Sequence, residues 1–213
     1  MNKPLLIIGG GGHASVLVDI LRQQKREILG IVSPDMDVTR KVFQGIRHYS
    51  NDDDILNFES DSIMLVNGIG SLPYNNLREK IYRKFNLLGY EFETVVASNA
   101  IVSDYVILGE GVQIITGAIV QVNVRIGSNT IVNTGTIVEH DCNIGENNHI
   151  APGVTLSGQV VTCECVHIGS GATVIQNVRV GANSVVAAGA VLGKNLQPNT
   201  THFPAKPFQK IKK

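Results

Sequence analysis

Aromatic residues are scarce in this chain of 213 residues, which has no tryptophan and only 5% Phe, Tyr and Trp together. The same sequence contains 22 glycines. Because an ordinary globular core draws on large aromatic side chains, this composition favours a repetitive β architecture. The three cysteines, Cys142, Cys163 and Cys165, form neither an even disulfide set nor a metal-ligand spacing, which fits a reducing compartment.

Net charge is also absent, since Lys+Arg and Asp+Glu both number 18. A chain without an overall field has no general attraction for nucleic acid or an anionic membrane. The apolar runs are too short to span a bilayer, and no basic stretch followed by an apolar run and a cleavage site opens the sequence. We therefore expect a cytoplasmic protein with neither nucleic acid nor a membrane as a partner.

A six-residue repeat fills the second half of the chain, from residue 101 to residue 196. Such a period predicts a β-solenoid in which each short strand turns one aliphatic side chain inward. Thr162-Cys163 replaces the usual Ile-Gly pair, so the sequence predicts one irregular coil there. The second position of each hexad is Val102, Leu108, Ile114, Val120, Ile126, Val132, Val138, Ile144, Ile150, Leu156, Thr162, Ile168, Val174, Val180, Val186 and Leu192.

The first 96 residues follow another pattern, in which strand-like segments alternate with two amphipathic helices. This order predicts a small Rossmann-like parallel α/β domain over residues 1–96. "IIGGGGHA" places a G-x-G-x-x-A motif between the first strand and the first helix, where bare backbone N–H groups can hold a phosphate. Ser33-Pro34 stands where a dinucleotide domain carries an acid, so we do not expect NAD; the alternative is a tight turn without a ligand.

The stretch "NTGTIVEHDCNIG" then places His, Asp and Asn in an otherwise apolar β-rich run. Together with "IIGGGGHA", it resembles the hexapeptide-repeat sugar acetyltransferases over nearly the whole chain. The resemblance implies a left-handed parallel β-helix over residues 97–213, three hexads to a coil. It also implies a homotrimer, with acetyl-CoA in a groove between subunits and no metal.

Acetyl transfer to an amine needs a group that takes the amine proton, and histidine is suited to that role near neutral pH. The resemblance implies that His140 is the general base, that Asp141 orients it and that Asn133 is a polar positioning group. Neighbouring residues of a strand point to opposite faces, so Asp141 reaches His140 only if a solenoid corner lies here. Glu139 is the alternative orienting residue if the corner lies elsewhere.

Residues 18 apart should stack in adjacent coils, which pairs His140 with Gly158 and His149 with His167. A missing side chain at Gly158 leaves room beside the imidazole, although a glycine could merely serve a turn. The resemblance assigns His149, Gly158, Gly169 and Ala188 to the acetyl-CoA site; the alternative for both His149 and His167 is a solvated edge. A basic tail, Lys206, Lys210, Lys212 and Lys213, could meet CoA phosphates or simply be solvated.

The substrate site implied for the α/β domain comprises Gly11, Gly12, His13 and Asp35. His13 could equally be a helix residue with an exposed ring. Arg78 on the second helix could face a phosphate, although an arginine on a helix surface is more often solvated.

The sequence thus predicts an acetyl-CoA-dependent N-acetyltransferase acting on the 4-amino group of a nucleotide-linked amino-dideoxy sugar in bacterial surface glycan biosynthesis. A sugar O-acetyltransferase, for example one acting on sialic acid, is the enzymatic alternative. A solenoid scaffold without catalysis is the other, but clustered Asn133, Glu139, His140 and Asp141 have no scaffold rationale.

Overall fold

The structure is a computed structural model that describes residues 3–37 and 39–205. Its first part is a four-stranded parallel sheet with strand order β3-β2-β1-β4. The chain adds β2 and β3 on one side of β1 and β4 on the other, so the loops after β1 and β4 border a crevice at the carboxyl edge. The elements are β1 (Leu5–Ile8), α1 (Gly12–Gln23), β2 (Ile28–Val32), a 3₁₀ turn (Lys41–Phe43), β3 (His48–Tyr49), a second 3₁₀ turn (Asp52–Asn57), β4 (Met64–Asn67) and α2 (Leu77–Leu87).

Glycine is required where the β1 loop crosses its neighbours. Gly9 has a φ of +105°, and a Cβ there would lie 3.1 Å from the Gly68 backbone. A Cβ on Gly10 would come within 2.8 Å of the Asp35 carbonyl oxygen. Across residues 3–37 and 39–205, neither helix has the length and apolar character to span a bilayer.

The segment of residues 91–96, which follows α2, is divided between the two parts of the chain. Phe92 forms a parallel bridge with Leu65, whereas β5 (Val95–Val96) pairs with a solenoid strand. The apolar cluster of the first domain likewise continues into the solenoid residues Ile115 and Ile131. The two parts therefore share a core.

The solenoid has three flat sheets, and every neighbouring pair of strands is parallel and 18 residues apart within the repeat. The covered face, against which the α/β domain packs, comprises β5, β8 (Gln113–Ile114), β11 (Ile131–Val132), β14 (His149–Ile150), β17 (His167–Ile168), β20 (Val185–Val186) and β22 (Thr201–His202). The apolar face comprises β6 (Ile101–Val102), β9 (Ile119–Val120), β12 (Ile137–Val138), β15 (Thr155–Leu156), β18 (Thr173–Val174) and β21 (Val191–Leu192). The polar face comprises β7 (Ile107–Leu108), β10 (Arg125–Ile126), β13 (Asn143–Ile144), β16 (Val161–Thr162) and β19 (Arg179–Val180).

The second residue of most strands is buried and forms the solenoid core. This confirms the prediction that the second position of each hexad turns inward. The prediction of an irregular coil at Thr162 is wrong, because β16 pairs with β13 and β19 in the same 18-residue register as the other strands. Thr162 is 3% exposed, and its Oγ1 accepts a hydrogen bond from Asn148 Nδ2 at 3.0 Å. The buried hydroxyl is thus paired, and the coil stays regular.

Left-handed backbone at most corners turns the chain from one face to the next. The first corner, between the covered and apolar faces, uses glycine, and the other two use mainly Asn. Residues with positive φ are Gly117, Gly135, Gly153, Gly171 and Gly189 at the first corner, Asn123, Asp141, Gln159 and Asn177 at the second, and Gly111, Asn129, Asn147, Cys165, Asn183 and Asn199 at the third.

Candidate active site

His140 and Asp141 lie at the second corner, between the apolar and polar faces. Asp141 has a φ of +60°, so the strand alternation breaks here and the two adjacent side chains meet. His140 Nδ1 lies 2.8 Å from Asp141 Oδ2, and Asn123, one coil earlier, donates to Asp141 Oδ1 at 3.2 Å. The contact with Asp141 predicted from the sequence is therefore present, and Glu139 makes no hydrogen bond to His140 among the described residues.

These two hydrogen bonds set the protonation of the pair. The bond from His140, followed by that from Asn123, lowers the pKa of Asp141 below its usual value. An ionised carboxylate only accepts, so Nδ1 of His140 carries the hydrogen. Nε2 is left with a free lone pair when the ring is neutral.

Gly158 allows the imidazole ring of His140 to lie directly against its backbone. A Cβ at Gly158 would lie 2.7 Å from both Cε1 and Nε2 of His140. The His140 side chain is 53% exposed, so a small group can approach Nε2 from solvent. The stacking predicted from the 18-residue period is present, and the His140 ring occupies the place that a side chain at position 158 would take.

Asn133 lies at the first corner and contacts His149 rather than His140. Its Oδ1 accepts from the backbone N–H of Thr134 at 2.8 Å, which fixes the orientation of the amide. Its Nδ2 consequently faces His149 Nε2, at 3.1 Å, and donates to it. Within one chain, β12 separates Asn133 from His140.

His149 and His167 lie in adjacent coils of the covered face, and their rings meet edge to face. Their ring centroids are 4.8 Å apart at an interplanar angle of 82°. Both Nδ1 atoms are sealed from solvent, so these rings are not solvated side chains at an edge. Burial, followed by His167, His13 and Arg78, lowers the pKa of His149 to about 3, and burial also lowers the pKa of His167.

Gly169 and Ala188 meet at the first corner in adjacent coils. A Cβ on Gly169 would lie 2.5 Å from the Ala188 backbone nitrogen, so only glycine fits. This pairing leaves a strip of nearly bare backbone, as a pantetheine arm would need. Lys206, Lys210, Lys212 and Lys213, predicted to meet CoA phosphates, lie outside the described residues.

The glycines at the start of α1 expose their backbone. Gly11 and Gly12 have no heavy atom within 4 Å of where a Cβ would be, apart from their own neighbours. The start of α1 is therefore uncrowded, and the first N–H groups of a helix have no partner within the helix, as an anion site requires. Asp35 is exposed and lies beside this loop, because its carbonyl oxygen approaches Gly10.

His13 does not have an exposed ring, which was the alternative considered from the sequence. Its Nε2 lies 2.7 Å from Oε1 of Gln113, a fully buried residue of the covered face. Burial, with a further contribution from Arg78, lowers the pKa of His13 to about 4. The ring is neutral at physiological pH and joins the two parts of the chain.

Arg78 is likewise buried, with only 5% of the residue exposed. The alternative that it is a solvated side chain on the helix surface is therefore wrong. Its guanidinium donates to the carbonyl oxygens of Asn129, Asn67 and Ile69 at 2.8 to 3.2 Å. Sequence reasoning missed this hydrogen-bonded network. The spacing of Arg78 from the buried Ile81 and Phe85, three and seven residues later, was the available signal.

Comparison with known families and structures agrees with this architecture. Residues 4–85 match the PglD N-terminal domain family, and residues 123–158 match the bacterial transferase hexapeptide (six repeats) family. No match was found among curated protein sequences.

Solved structures extend the match to the whole chain. PerB from Caulobacter crescentus, in complex with CoA and GDP-perosamine, is 32% identical over 94% of each chain, with a TM-score of 0.83. A histidine-to-asparagine variant of perosamine N-acetyltransferase from the same organism is 30% identical over 94% of this chain and 93% of that one, with a TM-score of 0.84. The acetyltransferase domain of PglB from Neisseria gonorrhoeae, in complex with acetyl coenzyme A, is 28% identical over 98% of this chain and 100% of that one, with a TM-score of 0.84. The chain belongs to the hexapeptide-repeat sugar acetyltransferases.

Proposed function

We propose that this protein transfers the acetyl group of acetyl-CoA to the 4-amino group of a nucleotide-linked amino-dideoxy sugar, with His140 as the general base. One observation carries the proposal: the His140 ring is exposed, is oriented by an ionised Asp141 and lies against the bare backbone of Gly158. The pKa values of three further histidines are lowered, so these are poor proton acceptors: His13, His149 and His167. Such a reaction belongs to the cytoplasmic stage of bacterial surface glycan biosynthesis.

The reaction follows from the geometry at the second corner. The amine nitrogen forms a bond to the thioester carbonyl carbon, and His140 Nε2 takes the proton that this nitrogen loses. The C–S bond then breaks, and the proton passes to the departing CoA sulfur to give a thiol. Asp141 keeps the ring oriented and stabilises the imidazolium between these two transfers.

The acetyl-CoA site is proposed along the first corner of one copy, with its reactive end at the second corner of a neighbouring copy, where Gly158 lies. His149 presents a neutral ring held by Asn133, and Gly169 and Ala188 present bare backbone. Asn133 therefore acts on His149 rather than beside His140 in the same chain. The relatives solved with CoA or acetyl-CoA support the choice of donor.

The domain of residues 1–96 is proposed to hold the nucleotide-linked sugar. Gly11 and Gly12 offer N–H groups to a phosphate, and His13 and Asp35 border the same loop. The complex of PerB with GDP-perosamine supports this class of acceptor.

A homotrimer is proposed because the apolar face has no partner within the described chain. Its outward side chains are Ile101, Ile119, Ile137, Thr155, Thr173 and Val191, with Ile101 66% and Val191 64% exposed. On the polar face, by contrast, three of the five outward side chains are hydrophilic, namely Arg125, Asn143 and Arg179. A contiguous exposed apolar surface marks an interaction site, and packing there would bring His140 of one copy towards Asn133 and His149 of another.

Paired variants on the two faces test this assembly. Ile137→Arg, at the middle of the apolar face, should convert the trimer to monomers in analytical ultracentrifugation and abolish acetyl transfer. Val161→Arg, at the matching outward position on the polar face, should leave both unchanged. A monomeric parent protein, or a trimeric Ile137→Arg variant, would contradict the proposed interface.

Thiol release from acetyl-CoA tests the reaction itself. Purified full-length protein is assayed with UDP-, dTDP- and GDP-linked 4-amino sugars and with free sialic acid. Turnover on one amino sugar is the expected result. Turnover only on sialic acid would replace the proposal with O-acetylation, and neither turnover nor acetyl-CoA binding would favour the scaffold alternative.

A further inference from the structure

Gln113 is a buried amide whose orientation is fixed from both sides. Its Nε2 donates to the carbonyl oxygen of Asn67 at 2.8 Å, and the same oxygen accepts from Arg78 Nη1 at 2.8 Å. A flipped amide would place two carbonyl oxygens at hydrogen-bond distance with no hydrogen between them. Gln113 is 0% exposed, so water does not offset that repulsion.

The fixed amide decides which nitrogen of His13 carries the hydrogen. Oε1 of Gln113 faces His13 Nε2 at 2.7 Å and can only accept. Nε2 is therefore protonated. In the neutral ring, Nδ1 is then an acceptor with no hydrogen of its own.

Nδ1 of His13 has no hydrogen-bond partner among residues 3–37 and 39–205. In contrast to Nδ1 of His149 and of His167, it is not sealed from solvent. His13 stands in the first turn of α1, directly after the open Gly11 and Gly12 and opposite Gly70 of the β4 loop. The free acceptor thus lies at the crevice where the nucleotide-linked sugar is proposed to bind.

We propose that Gln113 is a positioning residue that holds His13 in the Nε2-protonated form, so that Nδ1 accepts a hydrogen bond from a hydroxyl or amino group of the sugar. This inference rests on the proposed function. A neutral acceptor repels phosphate oxygens, so His13 recognises the sugar and the α1 N-terminus is left to take the phosphate. Through Gln113, the solenoid selects the sugar that the α/β domain holds.

The tautomer can be measured without any substrate. Nitrogen NMR of the full chain with labelled histidine at pH 7 should show His13 protonated at Nε2 and unprotonated at Nδ1. Gln113→Met keeps the side-chain length but removes both hydrogen bonds, and should give a mixture of tautomers. A parent protein with His13 protonated at Nδ1 would overturn the proposal.

Binding tests the ligand. Gln113→Glu places a carboxylate against His13 Nε2, which favours the doubly protonated ring and turns Nδ1 into a donor. Calorimetry is done with the sugar nucleotide that is the best acceptor in the thiol-release panel. The Gln113→Glu variant should bind it roughly tenfold more weakly, because one hydrogen bond is lost. Binding of the corresponding free nucleoside diphosphate should be undiminished. Gln44→Glu, an exposed residue of the same domain, is the charge-matched control and should bind both as the parent does.

Equal losses for the sugar nucleotide and the nucleoside diphosphate would overturn the sugar contact. So would unchanged binding of both in a Gln113→Glu variant whose His13 NMR signals have shifted. If the parent protein bound no sugar nucleotide, both the proposed function and the proposed sugar contact of His13 would be wrong. The NMR result would still decide whether Gln113 sets the tautomer of His13.

Discussion

The second corner and the covered face both carry histidines, but they place them in opposite surroundings. At the corner, His140 is 53% exposed and faces a carboxylate at 2.8 Å. On the covered face, His149 packs against His167, with an amide from Asn133 and no acid among its hydrogen-bond partners in the described residues. Burial without a negative partner keeps His149 neutral, whereas His140 is open to solvent and lies beside a carboxylate.

This difference assigns roles that residue type alone does not. A proton acceptor must be able to become charged during the reaction, which the second corner permits and the covered face opposes. The neutral rings of His13 and His149 are suited to hydrogen bonds of fixed direction. The predictions below alter one environment at a time.

Gly158→Ala should give the largest effect of the substitutions around His140. The new Cβ would lie 2.7 Å from Nε2, so the ring must move away from the position that Asp141 fixes. A displacement of about 1 Å can cost on the order of 10²-fold in rate, and kcat should fall by about that factor. Steady-state thiol release measures it.

Gly193→Ala is the matched control, because a Cβ there would lie 3.4 Å from Ile175 Cδ1, an ordinary contact. It should retain the kcat of the parent. A Gly158→Ala enzyme as active as this control would show that the position of the His140 ring against Gly158 does not matter for the reaction.

Asp141→Asn should lower kcat by about tenfold or more, since an amide does not stabilise the imidazolium as a carboxylate does. Glu139→Gln, two residues away and not hydrogen-bonded to His140 in the described structure, should leave kcat near that of the parent. Comparable losses in the two variants would contradict the assignment of Asp141 as the orienting residue.

The smallest effect concerns stability at low pH. Because the pKa of His149 is about 3 when folded and 6.5 as a free side chain, the unfolded chain binds more protons below pH 6.5. The free energy of unfolding therefore falls as pH falls, by about 2 kcal/mol between pH 7.5 and pH 5 for this residue.

His149→Gln should remove that part of the decline. Urea unfolding at pH 7.5 and at pH 5 measures it, and the difference between the two should be smaller in the variant by about 2 kcal/mol. The same pH dependence in variant and parent would show that His149 is not held neutral.

Periodicity predicted the solenoid because each strand repeats one inward side chain, and it predicted the stacking of His140 on Gly158 and of His149 on His167. The left-handed corner at Asp141 is also readable, since Asn and Asp favour that conformation. The contact of Asn133 with His149 was missed because it depends on which side of a corner each residue faces. The buried network of Arg78 and Gln113 was missed because it forms between domains, and a local pattern does not specify such contacts.

Acetyl transfer by His140→Ala with added imidazole tests the assignment of the base most directly. Gly158 leaves space beside the missing ring, and the site is open to solvent, so free imidazole can enter. The variant should lose roughly 10² to 10⁴ of the parent rate, while its dissociation constant for acetyl-CoA stays unchanged. Activity should then rise with imidazole concentration. Parent-level turnover in the variant without imidazole would contradict the role of His140 as the general base.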